Sequence, residues 1–245
     1  MRKEKPDYRI LISTCDKYLI ALPPLLHMLR KYWQPLPEIV IGGFSVPDFD
    51  LGPGVKFVSC GKQEDYPIGK WSDGLIKFFS GQDDDVFVYF LDDMWPVRPV
   101  DGEAVQMLVD YARQFKSVAR MDLTSDRFYS HGAELNYGNV GRLDLVKSSR
   151  DSEYLSSMMP GAWNRRHFLD LLVPDESPWD IELRGTPRLR NMDVEVYGTR
   201  QMPYKCTLAF RGGDSKKLAC EIPYQPLVVD VEEMRKLGLL DNWEG

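Results

Sequence analysis

Val86-Phe87-Val88-Tyr89-Phe90-Leu91 runs without a charged side chain and then meets Asp92-Asp93-Met94-Trp95-Pro96. An uninterrupted apolar run of this length suits a strand in the middle of a sheet covered on both faces. The two adjacent carboxylates at its end are the informative part. In parallel α/β sheets, functional groups gather at the carboxyl ends of the strands. Neighbouring carboxylates there repel each other and are tolerated when a divalent cation or a donor network compensates them. Mg²⁺ and Mn²⁺ are hard ions that take few protein carboxylates plus the oxygens of a diphosphate, and they neutralise charge building on a leaving phosphate. The plainer reading is a pair of solvated turn residues, which is how Asp83-Asp84-Asp85, ahead of the same run, is read.

Upstream, Tyr8–Ser13 reads as a buried strand, Glu38–Ile41 as a second closed by Gly42-Gly43, and Val55–Ser59 as a third. Within Leu19–Trp33, Leu22, Leu25, Leu26, Leu29 and Trp33 recur at helical spacing. Pro23 and Pro24 fit only a first turn and move that helix's start past Leu19. Trp71–Ser80 is expected as a helix with Leu75, Ile76 and Phe79 inward. Downstream, Gly102–Phe115 is expected as a helix with Asp101 as its N-cap, followed by a strand at Ser117–Arg120. From Thr124 to Arg150 the pattern dissolves into a polar stretch, read as irregular and functional or mobile. Tyr154–Met159 is expected as a strand and Trp163–Leu172 as a helix. A further helix begins at Ser177-Pro178, and a last short one at Asp230-Val231-Glu232-Glu233. This alternation argues an α/β fold with a mixed, mainly parallel sheet flanked by helices in a single domain. Residues 8–120 form its first half and 121–245 its second.

The whole chain of 245 residues has 43% hydrophobic and 28% charged residues, which excludes global disorder. Lys+Arg is 31 against Asp+Glu 37, a net charge of −6 that argues against a nucleic-acid coat or a basic membrane-surface protein. No apolar run approaches the ~18 residues of a membrane span, and no signal peptide is read, so a cytoplasmic protein without integral membrane association is expected. Cys15, Cys60, Cys206 and Cys220 lack C-x-x-C spacing, and His27, His131 and His167 are too scattered for a zinc site.

The segment from Val88 to Asp101, VYFLDDMWPVRPVD, is similar to the metal-binding motif region of GT-A glycosyltransferases, and more narrowly of family-2-like bacterial and phage enzymes. Three further segments agree in order. The first strand, ending in Ser13-Thr14-Cys15-Asp16-Lys17-Tyr18, resembles the nucleotide-binding start. Lys70-Trp71-Ser72-Asp73-Gly74-Leu75 resembles a helix start of these enzymes. SMMPGAWNRRHFLDLL (157–172) followed by DESPWDIE (175–182) resembles the acceptor-side half. Each motif is short, and their order and spacing carry the match across residues 8–215.

The resemblance implies a Rossmann-like GT-A fold and a metal-dependent, inverting transfer of a sugar from a nucleotide-sugar, a UDP-sugar by expectation, to an acceptor hydroxyl. It implies that Asp93 binds Mn²⁺ or Mg²⁺ and that Asp92 contacts the ribose or a metal-bound water. Ser13, Thr14 and Tyr18 would line the nucleotide pocket, with Trp71 and Ser72 closing its far side. Asp180 or Glu176 would be the general base. Arg211, with Lys216 and Lys217, would neutralise the departing diphosphate. The acceptor would be a glycan, a lipid-linked saccharide or hydroxymethylpyrimidine in phage DNA, the last placing the protein in a host cytoplasm.

Two departures stand out. Gly42-Gly43 occupies the position of an acid that reads the nucleobase in many of these enzymes. No histidine follows His167 to serve as a late metal ligand, which leaves Asp214, a water or nothing. A sugar-nucleotide nucleotidyltransferase is the alternative, although Ser13–Tyr18 lacks the glycine-rich loop it normally wants. A non-catalytic nucleotide- or carbohydrate-binding module is the other.

Plainer readings accompany several residues. Trp179 packs a helix start against the core. Asp180 and Glu182, two apart, do not share a helix face, so one at most is a base and the other a solvated or capping charge. Arg165, Arg166 and His167 form a solvated helix face. Arg184, Arg188, Arg190 and Arg200 either hold a phosphate-bearing acceptor or pair with carboxylates such as Asp193 and Glu195.

Overall fold

The computed structural model describes residues 5–129, 133–209 and 225–243. Its first half runs β1 (Arg9–Ser13), α1 (Leu22–Tyr32), β2 (Glu38–Gly43), β3 (Val55–Ser59), α2 (Trp71–Ser80), β4 (Val86–Leu91), β5 (Met94–Pro96) and α3 (Gly102–Gln114). The second half runs β6 (Val118–Asp122), α4 (Asp126–Tyr129), β7 (Glu134–Val140), β8 (Leu143–Lys147), β9 (Gly161–Asn164), α5 (Arg165–Leu171), α6 (Pro178–Asn191), β10 (Glu195–Thr199), β11 (Cys206–Leu208) and α7 (Gln225–Lys236).

One sheet of nine strands has the order β3-β2-β1-β4-β9-β6-β10-β8-β7. β3, β2, β1 and β4 are parallel neighbours. β6 and β10 run the same way, whereas β9, between β4 and β6, and β8, beside β10, run against them. The fold is thus the mixed, mainly parallel α/β sheet expected of a single domain.

β4 is buried on both faces because its side chains alternate between two apolar layers. Val86, Val88 and Phe90 join one core with α1, α3 and the described part of α7. Phe87 and Tyr89 join another with α2, α5 and α6. In that second layer Phe79 stacks on Phe87 at 4.8 Å and meets Tyr89 and Phe168 edge-on at 5.2 and 4.6 Å. Each such ring contributes about 1.5–3 kcal/mol by burial.

Several local expectations change. Gly42 and Gly43 do not close β2 but belong to it: a Cβ on Gly42 would sit 2.5 Å from the Phe78 ring, and one on Gly43 would sit 2.8 Å from Thr14 Cγ2. The polar stretch after Thr124 holds the β7–β8 hairpin, turning at Gly141 with φ of 54°. Tyr154–Met159 is not a strand, and the strand falls instead on Gly161–Asn164. Gly161 is needed there because a Cβ would meet Arg120 Nε at 2.8 Å. Trp163 therefore lies in β9, and Asn164 caps α5 by accepting from Arg166 N at 3.1 Å. Asp230 does not start a helix but lies within α7, buried, where it accepts from Lys31 Nζ at 2.8 Å and pins α7 to α1.

Candidate functional site

The parallel register sets the ends of β1, β2 and β4 on one edge, with Ser13 opposite both Gly42 and Leu91. Asp92 and Asp93 follow there. Asp92 is only 6% exposed. Its Oδ2 and Asp93 Oδ1 are buried with no hydrogen-bond partner among the described residues. Burial, and then the neighbouring Asp93 charge, push the Asp92 carboxyl well above its ordinary value; Thr14 and nearby backbone amides pull the other way. Burial pushes Asp93 up to about 6. A buried and a half-buried carboxylate, each with one oxygen lacking a donor, fit a hard divalent cation. No group of three or more His, Cys, Asp or Glu suited to a metal exists among the described residues. A cation there would complete its shell with water and substrate oxygens, as Mg²⁺ commonly does.

Ser13, Thr14 and Trp71 come together in a narrow crevice beside these acids, with Phe44, Leu75 and Phe78 as its apolar walls and Gly42-Gly43 as part of its lining. Ser13 Oγ shares a 2.8 Å hydrogen bond with Tyr89 Oη, and Thr14 N donates to Gly42 O at 2.9 Å. Tyr18 sits in a 3₁₀ turn (Asp16–Ala21) and packs half-buried against the core, outside the crevice lining. Ser72 is not in the lining either. It is fully buried and joins α2 to the start of α6: its N donates to Glu176 O at 3.0 Å and its Oγ accepts from Glu176 N at 3.0 Å.

The two carboxylates expected as general base are both committed elsewhere. Glu176 is 3% exposed and takes a bidentate pair from Arg188, at 2.8 and 2.6 Å. Asp180 completes a capping box: it accepts from Ser177 Oγ at 2.6 Å and Ser177 N at 3.1 Å, and its own N donates to Ser177 Oγ. The Ser177 bonds, with Arg184 at 3.3 Å, hold its carboxyl below the ordinary range. Of the pair Asp180 and Glu182, Asp180 is thus the capping charge. Glu182, two residues on, lies on another face of the helix. Its Oε1 accepts from Met158 N at 2.8 Å, and burial, reinforced by the Asp126 charge, raises its carboxyl above the ordinary value. Burial, and after it the Asp92 and Glu182 charges, push the Tyr89 phenol up, against the pull of the Ser13 hydrogen bond.

Behind this edge lies a charged cluster that no sequence signal announced. Asp122, at the end of β6, is fully buried and receives Arg120 Nη1 at 3.3 Å, Arg127 Nε at 3.0 Å and Thr124 N at 2.7 Å. Burial opposes the charge of Asp126, but Arg127, Arg120 and Ser157 hold its carboxyl below the ordinary value. Cys206 sits between the clusters: burial, then Asp122, Asp93 and Asp126, push its thiol up. Ala209 N donates to Asp93 O at 2.7 Å, so the β11 segment is fastened to the acid turn.

The basic stretch is internally paired. Arg184 faces Asp180 and Arg188 faces Glu176. Arg190 donates to Arg150 O and Ser152 O, and Arg200 to Leu135 O and Asn136 Oδ1. Arg150 pairs with Asp193, and Lys147 with Glu195. Trp179 overturns its plainer reading, being 65% exposed rather than packed on the core. Arg165 donates to Phe79 O and Ser80 O, so it is tied down rather than solvated. Arg211, Lys216, Lys217, Asp214 and His131 lie outside the described residues.

No protein-family model matches the chain, and no curated protein matches it. Solved structures do. The UTP-bound UGPase from Acinetobacter baumannii is 11% identical, with 96% of each chain covered and a TM-score of 0.48. CMP:2-keto-3-deoxy-manno-octonic acid synthetase complexed with CTP is 12% identical over 78% of this chain and 89% of that one, at 0.43. The apo form of the glycosyltransferase GlyE of Streptococcus pneumoniae is 10% identical over 77% of this chain and 37% of its own, at 0.40. Likeness at this level assigns no activity.

Proposed function

We propose that this chain is a metal-dependent, inverting glycosyltransferase that moves a sugar from a nucleotide-sugar, a UDP-sugar in the first instance, to an acceptor hydroxyl. The observation that supports it most is the pair of carboxylates, Asp92 buried and Asp93 half-buried, each with an oxygen lacking a donor, beside the Ser13–Thr14–Trp71 crevice. Asp93 and Asp92 would hold Mn²⁺ or Mg²⁺, which when bound supplies positive charge against the donor diphosphate. The crevice encloses only about 10 Å³, so on this reading Phe44 and Trp71 would part to admit a base, with Ser13 and Thr14 beside the ribose. Thr14 and Asp92 interact already, so the ribose end and the acid end of the site are one unit.

In the transfer, the acceptor oxygen bonds to the anomeric carbon while the bond from that carbon to the diphosphate oxygen breaks. The diphosphate leaves with the electron pair, and the acceptor's proton passes to a carboxylate. Glu182 is the carboxylate available for that proton, because Asp180 is spent in the cap and Glu176 on Arg188. Its raised proton affinity moves it toward the pH at which a general base works well.

A thermal-shift panel of nucleotides and nucleotide-sugars, with and without Mn²⁺, tests this reading, because a ligand that binds only the folded chain raises its melting temperature. The expected result is a Mn²⁺-dependent shift with one nucleoside diphosphate and its sugar, lost in Asp93→Ala. An equal shift in that variant would remove the metal assignment, and no shift with any nucleotide would remove the transferase reading.

A further inference from the structure

At the edge of the sheet opposite Asp92 and Asp93 lies a cleft of about 370 Å³, lined by Asp85, Lys116, Asn164, Arg165, Arg166 and His167. These residues come from three places: the turn before β4, the turn before β6, and the end of β9 with the start of α5. Asp85 and Asp92 bracket the six residues of β4. At ~3.3 Å per residue the cleft therefore stands about 20 Å from the acid pair. The chain carries a net charge of −6, yet this lining sets three fixed positive charges, Lys116, Arg165 and Arg166, against the one carboxylate of Asp85. We propose that the cleft is a second ligand site, separate from the donor crevice, and that it takes a phosphate group, free or carried on a small molecule.

The positive charges of the cleft are not cancelled by the chain itself. Among the described residues Lys116 Nζ enters no ion pair, and Arg166 has one long, exposed pair with Asp170 at 3.8 Å. Such a surface pair is weak and yields to a multiply charged anion. Arg165 donates through Nε to Phe79 O at 3.2 Å and through Nη2 to Ser80 O at 3.3 Å. Both partners are neutral carbonyls, so the guanidinium is held in place with its charge intact. His167 Nε2 donates to Lys116 O at 2.7 Å and ties two sides of the cleft together before any ligand arrives. The acids next to Asp85 are withdrawn, since Asp83 and Asp84 both pair with Arg9. The first amides of α5 are also taken, Arg165 N by Asp85 O and Arg166 N by Asn164 Oδ1. What the cleft offers is therefore side-chain cations. Guanidinium forks with an ammonium suit the several charged oxygens of a phosphate better than the two of a carboxylate. The volume is that of a small-molecule site.

The test is calorimetric titration of the full chain with inorganic phosphate, pyrophosphate and glucose 6-phosphate, at ionic strength matched with chloride and with EDTA present to exclude binding through a metal. Saturable binding of at least one of the three is expected, with the same dissociation constant in Asp93→Ala. The double variant Lys116→Gln with Arg166→Gln alters two exposed side chains and should weaken binding about tenfold or more, while melting at the temperature of the unaltered chain. Asp85→Asn removes the opposing charge and should tighten it about threefold. A tighter ester identifies the ligand as a phosphorylated small molecule, and tighter inorganic anions identify it as free phosphate; both support the site. No saturable binding by any of the three, or equal affinity in the double variant, would overturn the proposal. Loss of binding in Asp93→Ala would overturn it as well, by returning the anion to the acid edge. The transferase reading does not depend on these outcomes, because its own test is a Mn²⁺-dependent shift.

Discussion

The carboxyl ends of β4 and β6 both carry buried acids, and the chain treats them in opposite ways. At β6, Asp122 is closed in by Arg120, Arg127 and Thr124, and Asp126 is held in its charged form by the same arginines. At β4, Asp92 and Asp93 keep buried oxygens without a donor among the described residues, and both resist ionisation. A buried carboxylate is expensive unless something completes it. Where the chain supplies the complement, the acid is architecture. Where it does not, an oxygen of the acid is left without a complement, and this is what separates the acid pair of β4 from the scaffold at β6.

The contrast breaks most visibly by mutation. Asp122→Ala strands two buried guanidinium groups and should cost about 3–5 kcal/mol of stability in a denaturant melt. Asp93→Asn, without added cation, should cost little stability, since it removes a half-buried charge whose Oδ1 has no donor. Comparable losses in the two variants would erase the distinction. Glu182→Gln should next lower the transfer rate by about a hundredfold or more with donor binding intact. A base works only when deprotonated, and this carboxyl is raised, so the rate should fall on acidification with a midpoint above the ordinary 4.5 of a glutamate. An acid limb centred at or below that value would dismiss Glu182. The smallest effect belongs to Asp180→Ala, which removes a cap worth about 1 kcal/mol and should leave the turnover number unchanged. A collapse of turnover with stability retained would return the base to Asp180.

The parallel half of the sheet was legible in the sequence because each piece carries its own local signal. Val86–Leu91 is apolar throughout, Trp71–Ser80 has helical periodicity, and Ser177-Pro178 is a cap followed by a proline that fits a first turn. The acid pair was legible for the same reason, standing at the end of an unmistakable strand. The second half was harder because its strands are defined by partners far away in sequence. β9 is four residues, Gly-Ala-Trp-Asn, without a β-branched side chain, and only β4 and β6 on either side make it a strand. β7 is exposed along nearly its whole length, so no alternation marks it. β5 and β11 pair across more than a hundred residues. The capping role of Asp180 was hidden for a related reason. Spacing limits Asp180 and Glu182 to one role each, but it does not say which one a serine three residues earlier has already taken.

The join between α2 and α6 has a mechanical meaning. Ser72 and Glu176 exchange two bonds, and Asp175 N adds a third to Asp73 Oδ2 at 2.8 Å. Trp71, a wall of the crevice, and the start of α6 therefore hang from one stitched frame. The crevice wall and the start of α6 are thereby one mechanical unit: three bonds resist any motion of the one that leaves the other behind.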